Sequence, residues 1–572
     1  MPQFDDRLST NKRLRAFQDN EEERLLSALA EQNGYRYIDL KGLSLNPEAI
    51  TVIPEEAAKA AMLVAFDKQQ KKLSVAVRNP NNPETKRVLE GLNDQWQVTV
   101  YMCSTKSLEH AWKRYADHRT TVAVKQGVLD IDPTEIVGLT SKLTSRDKVT
   151  EFIKEIRTVN TARRISTTLE AIFAGAIALS ASDIHIEPEE TGIRLRYRLD
   201  GVLHDVVDLD RSIYDRLASR LKLLAGLLLN VKNEAQDGRF TFELGEKKIE
   251  VRTSVIPGSS GESIVMRLLD PTVASFSMDQ LGLNQTLYDL MKRELARPNG
   301  MIITTGPTGS GKTTALYAFL REAHTPEVKI ITIEDPVEYK VDNIVQTQVE
   351  EDYTFASGLR SVLRQDPDII MVGEIRDSEV AETAVQAAQT GHLVFSTLHT
   401  NNAAGAFSRL IDLGVDDRMI GNSINVVLGQ RLVRILCPHC KTTYEASPDE
   451  RTLIETILAG HPHPPQVPEP LTLYKPAGCV KCSDTGFLGR QGIFEAIKID
   501  TAVEEAVIRD PREHVILEAA SAQGIPTMPE DGIEKVLQGT TSLDELRRVI
   551  DLTATRNAPA TPDDDAVTQH TV

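Results

Sequence analysis

The run Gly306-Pro307-Thr308-Gly309-Ser310-Gly311-Lys312-Thr313 constrains this chain more than any other stretch of it. It is a complete G-x-x-x-x-G-K-[ST] phosphate loop, which works only between a buried strand and the start of a helix. Both flanks are present: residues 301–305 are an apolar strand pattern, and residues 314–320 are good helix-forming sequence. The glycines let several backbone N–H groups and the helix N-terminus point at one phosphate. Lys312 offers a mobile positive charge to the β- and γ-phosphates, and Thr313 a hydroxyl to Mg²⁺. Gly306, Pro307, Thr308, Gly309, Ser310, Gly311, Lys312, Thr313 and Thr314 are the expected contacts of a nucleoside triphosphate. The chain is therefore expected to be a multidomain α/β protein around a P-loop core.

At 572 residues the prior is about three or four domains. The balance of 65 basic against 83 acidic residues, net −18, argues against a general nucleic-acid coat, so no direct nucleic-acid partner is expected. No apolar run approaches the roughly 18 residues that span a bilayer, and Met1-Pro2-Gln3-Phe4-Asp5-Asp6 is not a secretory signal. The expected location is the cytoplasm, with any work at a membrane done through partners.

Residues 1–20 are polar and expected to be disordered. An α/β pattern covers 21–117, a charged linker with a helical portion 118–150, and a second α/β domain 151–273. The latter opens on a long helix, 161–181, and contains an alternating strand, 193–199, that ends in the hairpin signal Asp200-Gly201. A short linker, 274–284, leads to the nucleotide-binding domain, 285–555; the tail 556–572, rich in Ala, Pro, Thr and Asp, reads as disordered.

Rapid hydrolysis needs carboxylates beside the phosphate loop. Ile330-Ile331-Thr332-Ile333-Glu334-Asp335-Pro336-Val337-Glu338 is an apolar strand that runs into three acids, and Ile369-Ile370-Met371-Val372-Gly373-Glu374 has the form of a Walker B strand. Ligands of open α/β sheets sit at the carboxyl ends of strands, so these acids should converge on the phosphates. Thr390 to Asn401 places His392 and His399 around a six-residue strand. That strand should lie beside the Walker B strand, which makes His399 a candidate γ-phosphate sensor and His392 a structural hydrogen-bonder. Cys437-Pro438-His439-Cys440 and Cys479-Val480-Lys481-Cys482 form two thiolate claws suited to one structural Zn²⁺, with a small subdomain bulging between them over 437–482. Four of the five cysteines in two claws argue against a redox pair.

The phosphate loop, the acid box ending at Glu338, Gly373-Glu374 and the histidine box resemble, in this order, the secretion-superfamily ATPases, the hexameric motors of type II secretion and type IV pilus systems. The resemblance extends through Ala181-Ser182-Asp183-Ile184-His185-Ile186-Glu187-Pro188, Arg196-Tyr197-Arg198-Leu199-Asp200-Gly201 and Arg364-Gln365-Asp366-Pro367-Asp368. The tetracysteine site and a first domain around Ile53-Pro54-Glu55-Glu56-Ala57-Ala58 are similar to the pilus-assembly and type II secretion members. The resemblance implies a RecA-like core, a PAS-like second domain, and a homohexamer that uses ATP, Mg²⁺ and structural Zn²⁺. It implies a motor that polymerises pilins or pseudopilins at an inner-membrane platform protein, on the inner face of the cytoplasmic membrane. Pilus assembly is the expectation and type II secretion the alternative, ahead of a DNA-uptake motor or nucleic-acid translocase. Position by position, Glu374 would hold the metal's water shell, and Glu338 rather than Glu334 would orient the attacking water. Arg196, Arg198 and Arg220 would reach the γ-phosphate as the domains close.

Overall fold

The computed structural model describes residues 26–40, 47–50, 52–69, 71–93, 96–112, 133–156, 161–244, 247–270 and 276–552. The ends expected to be disordered, residues 118–132 of the first linker and 274–275 of the second lie outside these. The chain divides into two units, Met1–Gln126 and Gly127–Val572.

The first unit is built on a four-stranded sheet in the order Arg36–Tyr37, Gln97–Met102, Lys72–Val77, Leu63–Gln69. The helix Pro83–Asn93 carries the chain from Lys72–Val77 to its parallel neighbour Gln97–Met102. Leu63, Val64, Leu73, Val75 and Val77 close its core.

The second unit holds two large sheets. One is antiparallel, ordered Val202–Leu209, Ile193–Leu199, Asp183–Pro188, Gly261–Leu269, Lys247–Gly258, Gln236–Leu244. Its tight hairpin at Asp200-Gly201 has both residues at positive φ, 47° and 85°, the conformation that suits a two-residue turn to strand twist. The helix Thr161–Ala178 packs on this sheet through Phe173, whose ring meets Phe240 and Phe242 at 5.9 and 5.4 Å. Here the structure departs from the linker expected over 118–150. Helices Pro133–Lys142 and Arg146–Ile156 bury Ile136, Val149 and Ile153 in the same core, because their apolar residues recur at helical spacing.

The second sheet runs Val345–Gln348, Ile330–Glu334, Ile369–Val372, Leu393–Leu398, Gly300–Thr305, Ile424–Leu436, Phe487–Lys498. All neighbours are parallel except the last pair. Its central strands are buried along their whole length, since one core closes on each face. This is the RecA-like P-loop architecture.

Candidate active site

Strand register assembles the site. Ile333 pairs with Val372, Val372 with Ser396, and Ile303 with Ser396. The phosphate loop, the acid box, Gly373-Glu374 and His399 therefore all leave one carboxyl edge of the sheet. The Walker B strand lies between the acid-box strand and the histidine strand, and the histidine strand lies next to the phosphate-loop strand.

The phosphate loop depends on two glycines that nothing else could replace. Gly306 has φ 151°, and a Cβ there would stand 2.5 Å from the Gln430 carbonyl oxygen and 2.6 Å from Ser310 Oγ. Gly311 caps the helix Lys312–Ala323 at φ 90°. Lys312 is buried, and its Nζ donates to the Gly306 and Pro307 carbonyls at 2.7 and 3.2 Å. Burial pulls its pKa down to about 8; the nearby Glu374 opposes that shift and Arg431 adds to it. Thr313 and Thr314 follow on the first turn of the helix, half-exposed.

The acids divide sharply. Glu334 is buried and committed: Oε2 accepts the Tyr317 hydroxyl, and Oε1 accepts Thr332 Oγ1 at 2.6 Å and Gln346 Nε2 at 3.1 Å. Tyr317 lies on the phosphate-loop helix, so Glu334 ties that helix to the acid-box strand. Among the described residues Glu338 has no such set of donors. Burial raises its pKa, while Arg252 and Arg267 pull it back. Glu374 is held between Arg376, which pairs with its Oε1, and His399, whose Nε2 lies 3.5 Å from Oε2. Arg376 also reaches Asp335 at 3.7 Å. His392 instead places Nδ1 3.0 Å from the Ala387 carbonyl at the end of a helix, away from this cluster.

Of the three arginines chosen from the sequence, Arg196 and Arg198 are engaged within their own domain. Arg196 Nη2 meets Glu187 at 2.5 Å, and Arg198 meets Asp183 at 3.2 Å and the Gly201 carbonyl at 3.1 Å. Arg220 lies half-buried on the helix Arg211–Leu224. The arginines of that domain that face the acid box are Arg252, whose Nη2 donates to the Val337 carbonyl at 2.7 Å, and Arg267, whose charge bears on Glu338 although its Nε also meets Asp183 at 3.0 Å. Sequence reasoning missed both. They sit on strands Lys247–Gly258 and Gly261–Leu269, far from the acid box in sequence, and only the packing of two domains brings them there. Arg376 was closer to hand, two residues after Glu374 where the strand has ended.

The model of the type II/IV secretion system protein family matches residues 159–548, which contain both sheets and every residue above. The chain belongs to that family. A second model, the MshEN domain, matches residues 33–122 of this secretion ATPase. It is 46% identical over 383 residues to the type II secretion system ATPase E of Vibrio cholerae, covering 67% of this chain and 74% of that one. It is 37% identical over 532 residues to the type IV pilus assembly ATPase PilB of Myxococcus xanthus, covering 92% and 91%. Against PilB of Pseudomonas aeruginosa the figures are 35% over 523 residues, covering 91% and 89%.

This secretion ATPase also brings its four cysteines together. The sulfurs of Cys437, Cys440, Cys479 and Cys482 all lie within 4.8 Å of one another. Three pairs stand at 3.6, 3.8 and 3.9 Å, against about 3.8 Å for a tetrahedron of 2.3 Å metal–sulfur bonds. The donor set fits a thiophilic divalent ion. Between the claws the hairpin Thr442–Glu445 with Thr472–Lys475 and the helix Pro448–Leu458 pack into a core shared with Val433, Ile493 and the helices Met528–Leu537 and Leu543–Val549. Among the described residues no helix is long and apolar enough to cross a membrane.

Proposed function

We propose that this ATPase is the subunit of a homohexameric cytoplasmic motor that drives pilin polymerisation at an inner-membrane platform protein, in type IV pilus assembly. The observation that carries the choice of system is coverage. The PilB relatives align over 92% and 91% of the chain, first unit included, whereas the type II secretion relative aligns over 67%. The higher identity to the latter, 46%, keeps type II secretion as the second reading. The net charge of −18 favours protein partners over nucleic acid, and membrane contact goes through the platform. In cells that carry this gene, its deletion should remove surface pili and leave type II export intact; lost export with normal pili would support the second reading instead.

In this reading the phosphate loop and Lys312 hold ATP. Thr313, with Glu374 through a water, would hold Mg²⁺, which supplies charge neutralisation on the phosphates when bound. Glu338 orients the attacking water, and Arg252 and Arg267 take the place first given to Arg196, Arg198 and Arg220. His399 reports on the Glu374 carboxylate.

Glu338→Gln should cut turnover far more than Glu334→Gln, with ATP affinity kept in both. Glu334→Gln disturbs a buried hydrogen-bonded set and should cost about 1–3 kcal/mol of stability, read as a lowered melting temperature. Because Glu338 must be ionised to accept a proton, and burial raises its pKa, turnover should fall with decreasing pH at a point above the ordinary glutamate value of about 4.3. Removing the Arg252 charge should move that limb higher still. A deeper loss of turnover in Glu334→Gln would reverse the assignment.

The four cysteines should carry one structural Zn²⁺ per chain. Stripping it should unfold the 437–482 subdomain locally, since such a site and its metal fold together. Elemental analysis of protein purified without chelator decides the matter: no zinc with all thiols intact would refute the site.

A further inference from the structure

The strand Ile424–Leu436 outruns its parallel partner. Pairing with the phosphate-loop strand ends at Thr305 opposite Gly429, so Gln430 and Arg431 continue alongside the loop itself. Arg431 Nη1 would lie 3.1 Å from a Cβ at Gly306, the first residue of the loop. Its Nη2 donates to the Asn401 carbonyl at 2.6 Å and its Nη1 to the Gln430 carbonyl at 3.1 Å. Both acceptors are neutral main-chain oxygens. The contrast with the other arginines around the site is clear: Arg376 pairs with Glu374 and Asp335, and Arg267 with Asp183.

Position says which phosphate Arg431 would meet. The Lys312 amine rests on the Gly306 and Pro307 carbonyls, so this end of the loop is where the β- and γ-phosphates are read. The Arg431 charge bears on that amine. On the other side, Asn401 belongs to the turn that follows His399, and Thr305 Oγ1 holds the same turn through the Thr400 and Asn402 carbonyls at 3.1 and 3.2 Å. Buried Glu495 accepts the Ala403 N–H at 2.8 Å and the Met528 N–H at 3.3 Å; burial pushes its carboxyl above the usual range, and its charge favours the Arg431 cation.

We propose that Arg431 is a second cation of this site, supplied by the same chain as the phosphate loop, that exchanges the Asn401 carbonyl for a γ-phosphate oxygen of bound ATP. An oxygen of the anionic γ-phosphate group is a stronger acceptor than an amide carbonyl, and a planar guanidinium suits it. The exchange releases the turn after His399 only when a γ-phosphate is present, which gives the histidine box a physical reason to distinguish ATP from ADP. The inference rests on reading the loop as the ATP site.

The test is a titration of the full chain with a fluorescent non-hydrolysable ATP analogue and with fluorescent ADP. Arg431→Ala should weaken the ATP analogue by about 10- to 100-fold, the range of a charge-assisted hydrogen bond, and leave ADP within about threefold of wild type. Arg431→Lys should recover part of the loss, because charge returns without the fork. It also keeps the test alive if the alanine variant is unfolded by thermal melting. Equal weakening of both nucleotides would make Arg431 a structural brace, and no weakening of either would make it a bystander; both overturn the proposal. Lys312→Ala separates this from the underlying reading. If it binds ATP like wild type, the ATP site is misplaced; if it loses binding while the Arg431 variants keep the wild-type preference for ATP, the Arg431 proposal alone falls.

Discussion

Lys312→Ala loses ATP affinity by about 10²-fold or more, whereas Glu374→Gln binds ATP like wild type and turns it over about 10²-fold more slowly or worse. The two residues stand close enough for their charges to act on each other, but they do different work. In the proposed reading the lysine amine contacts the ground-state nucleotide, and burial in the loop, which pulls its pKa down to about 8, disfavours an unneutralised cation there. A triphosphate removes that penalty, so the amine contributes to binding in full. The Glu374 carboxylate faces Arg376 and His399 rather than the loop carbonyls. Its negative charge matters when a metal's water shell must be held in the transition state, and glutamine keeps the shape while removing the charge. Little stability is at stake, since Arg376 is 60% exposed and a pair of that kind contributes at most about 1 kcal/mol. Isothermal titration and phosphate release on both variants decide it; normal turnover in Glu374→Gln removes that residue from the mechanism.

Arg252→Ala should lower turnover by about 10³-fold with a much smaller effect on ATP binding, the scale of an arginine that meets transferring phosphoryl charge. Arg196→Ala should do far less, because its guanidinium is occupied by Glu187 on the neighbouring strand. The difference follows from where the second domain touches the acid box: Arg252 holds the Val337 carbonyl, one residue before Glu338. In the proposed hexamer, with the arginines and the phosphate loop in separate domains, closing the domains and completing the site would be one event, each closure braced by the next subunit. Specific activity should therefore climb with protein concentration until assembly saturates. An unchanged rate at high dilution, or equal losses in Arg252→Ala and Arg196→Ala, would remove the coupling.

The parts of the site written in consecutive residues were legible in the sequence. The phosphate loop, the strand ends at Glu334 and Glu374, the hairpin at Asp200-Gly201 and the two cysteine claws each carry their geometry locally, through glycine φ, strand burial or ligand spacing. What was not legible depended on packing between elements distant in the chain. Nothing near Glu334 announces that Tyr317 and Gln346 will occupy it, and nothing near Arg252 announces an acid box 85 residues on. Arg196 and Arg198 drew notice because they alternate along a strand. That alternation placed them on the same face as Glu187 and Asp183 of the adjacent strand, which is where their charges went. The helical portion expected in 118–150 was legible, but not that its apolar residues Ile136, Val149 and Ile153 would be buried in the core of the next domain.

Strand order also sets when the site can exist during synthesis. The phosphate-loop strand Gly300–Thr305 has no hydrogen-bonded neighbour close to it in the chain; its two partners, Leu393–Leu398 and Ile424–Leu436, are both made later. At roughly 5–20 residues per second, the wait for the first partner is on the order of 5–20 s. Over that interval the acid-box and Walker B strands can already pair with each other, while the apolar loop strand has nothing to close against. A nascent chain of this ATPase is thus unable to hold nucleotide until its histidine box has left the ribosome, and any premature termination before that point leaves an unpaired hydrophobic strand rather than a partly active enzyme.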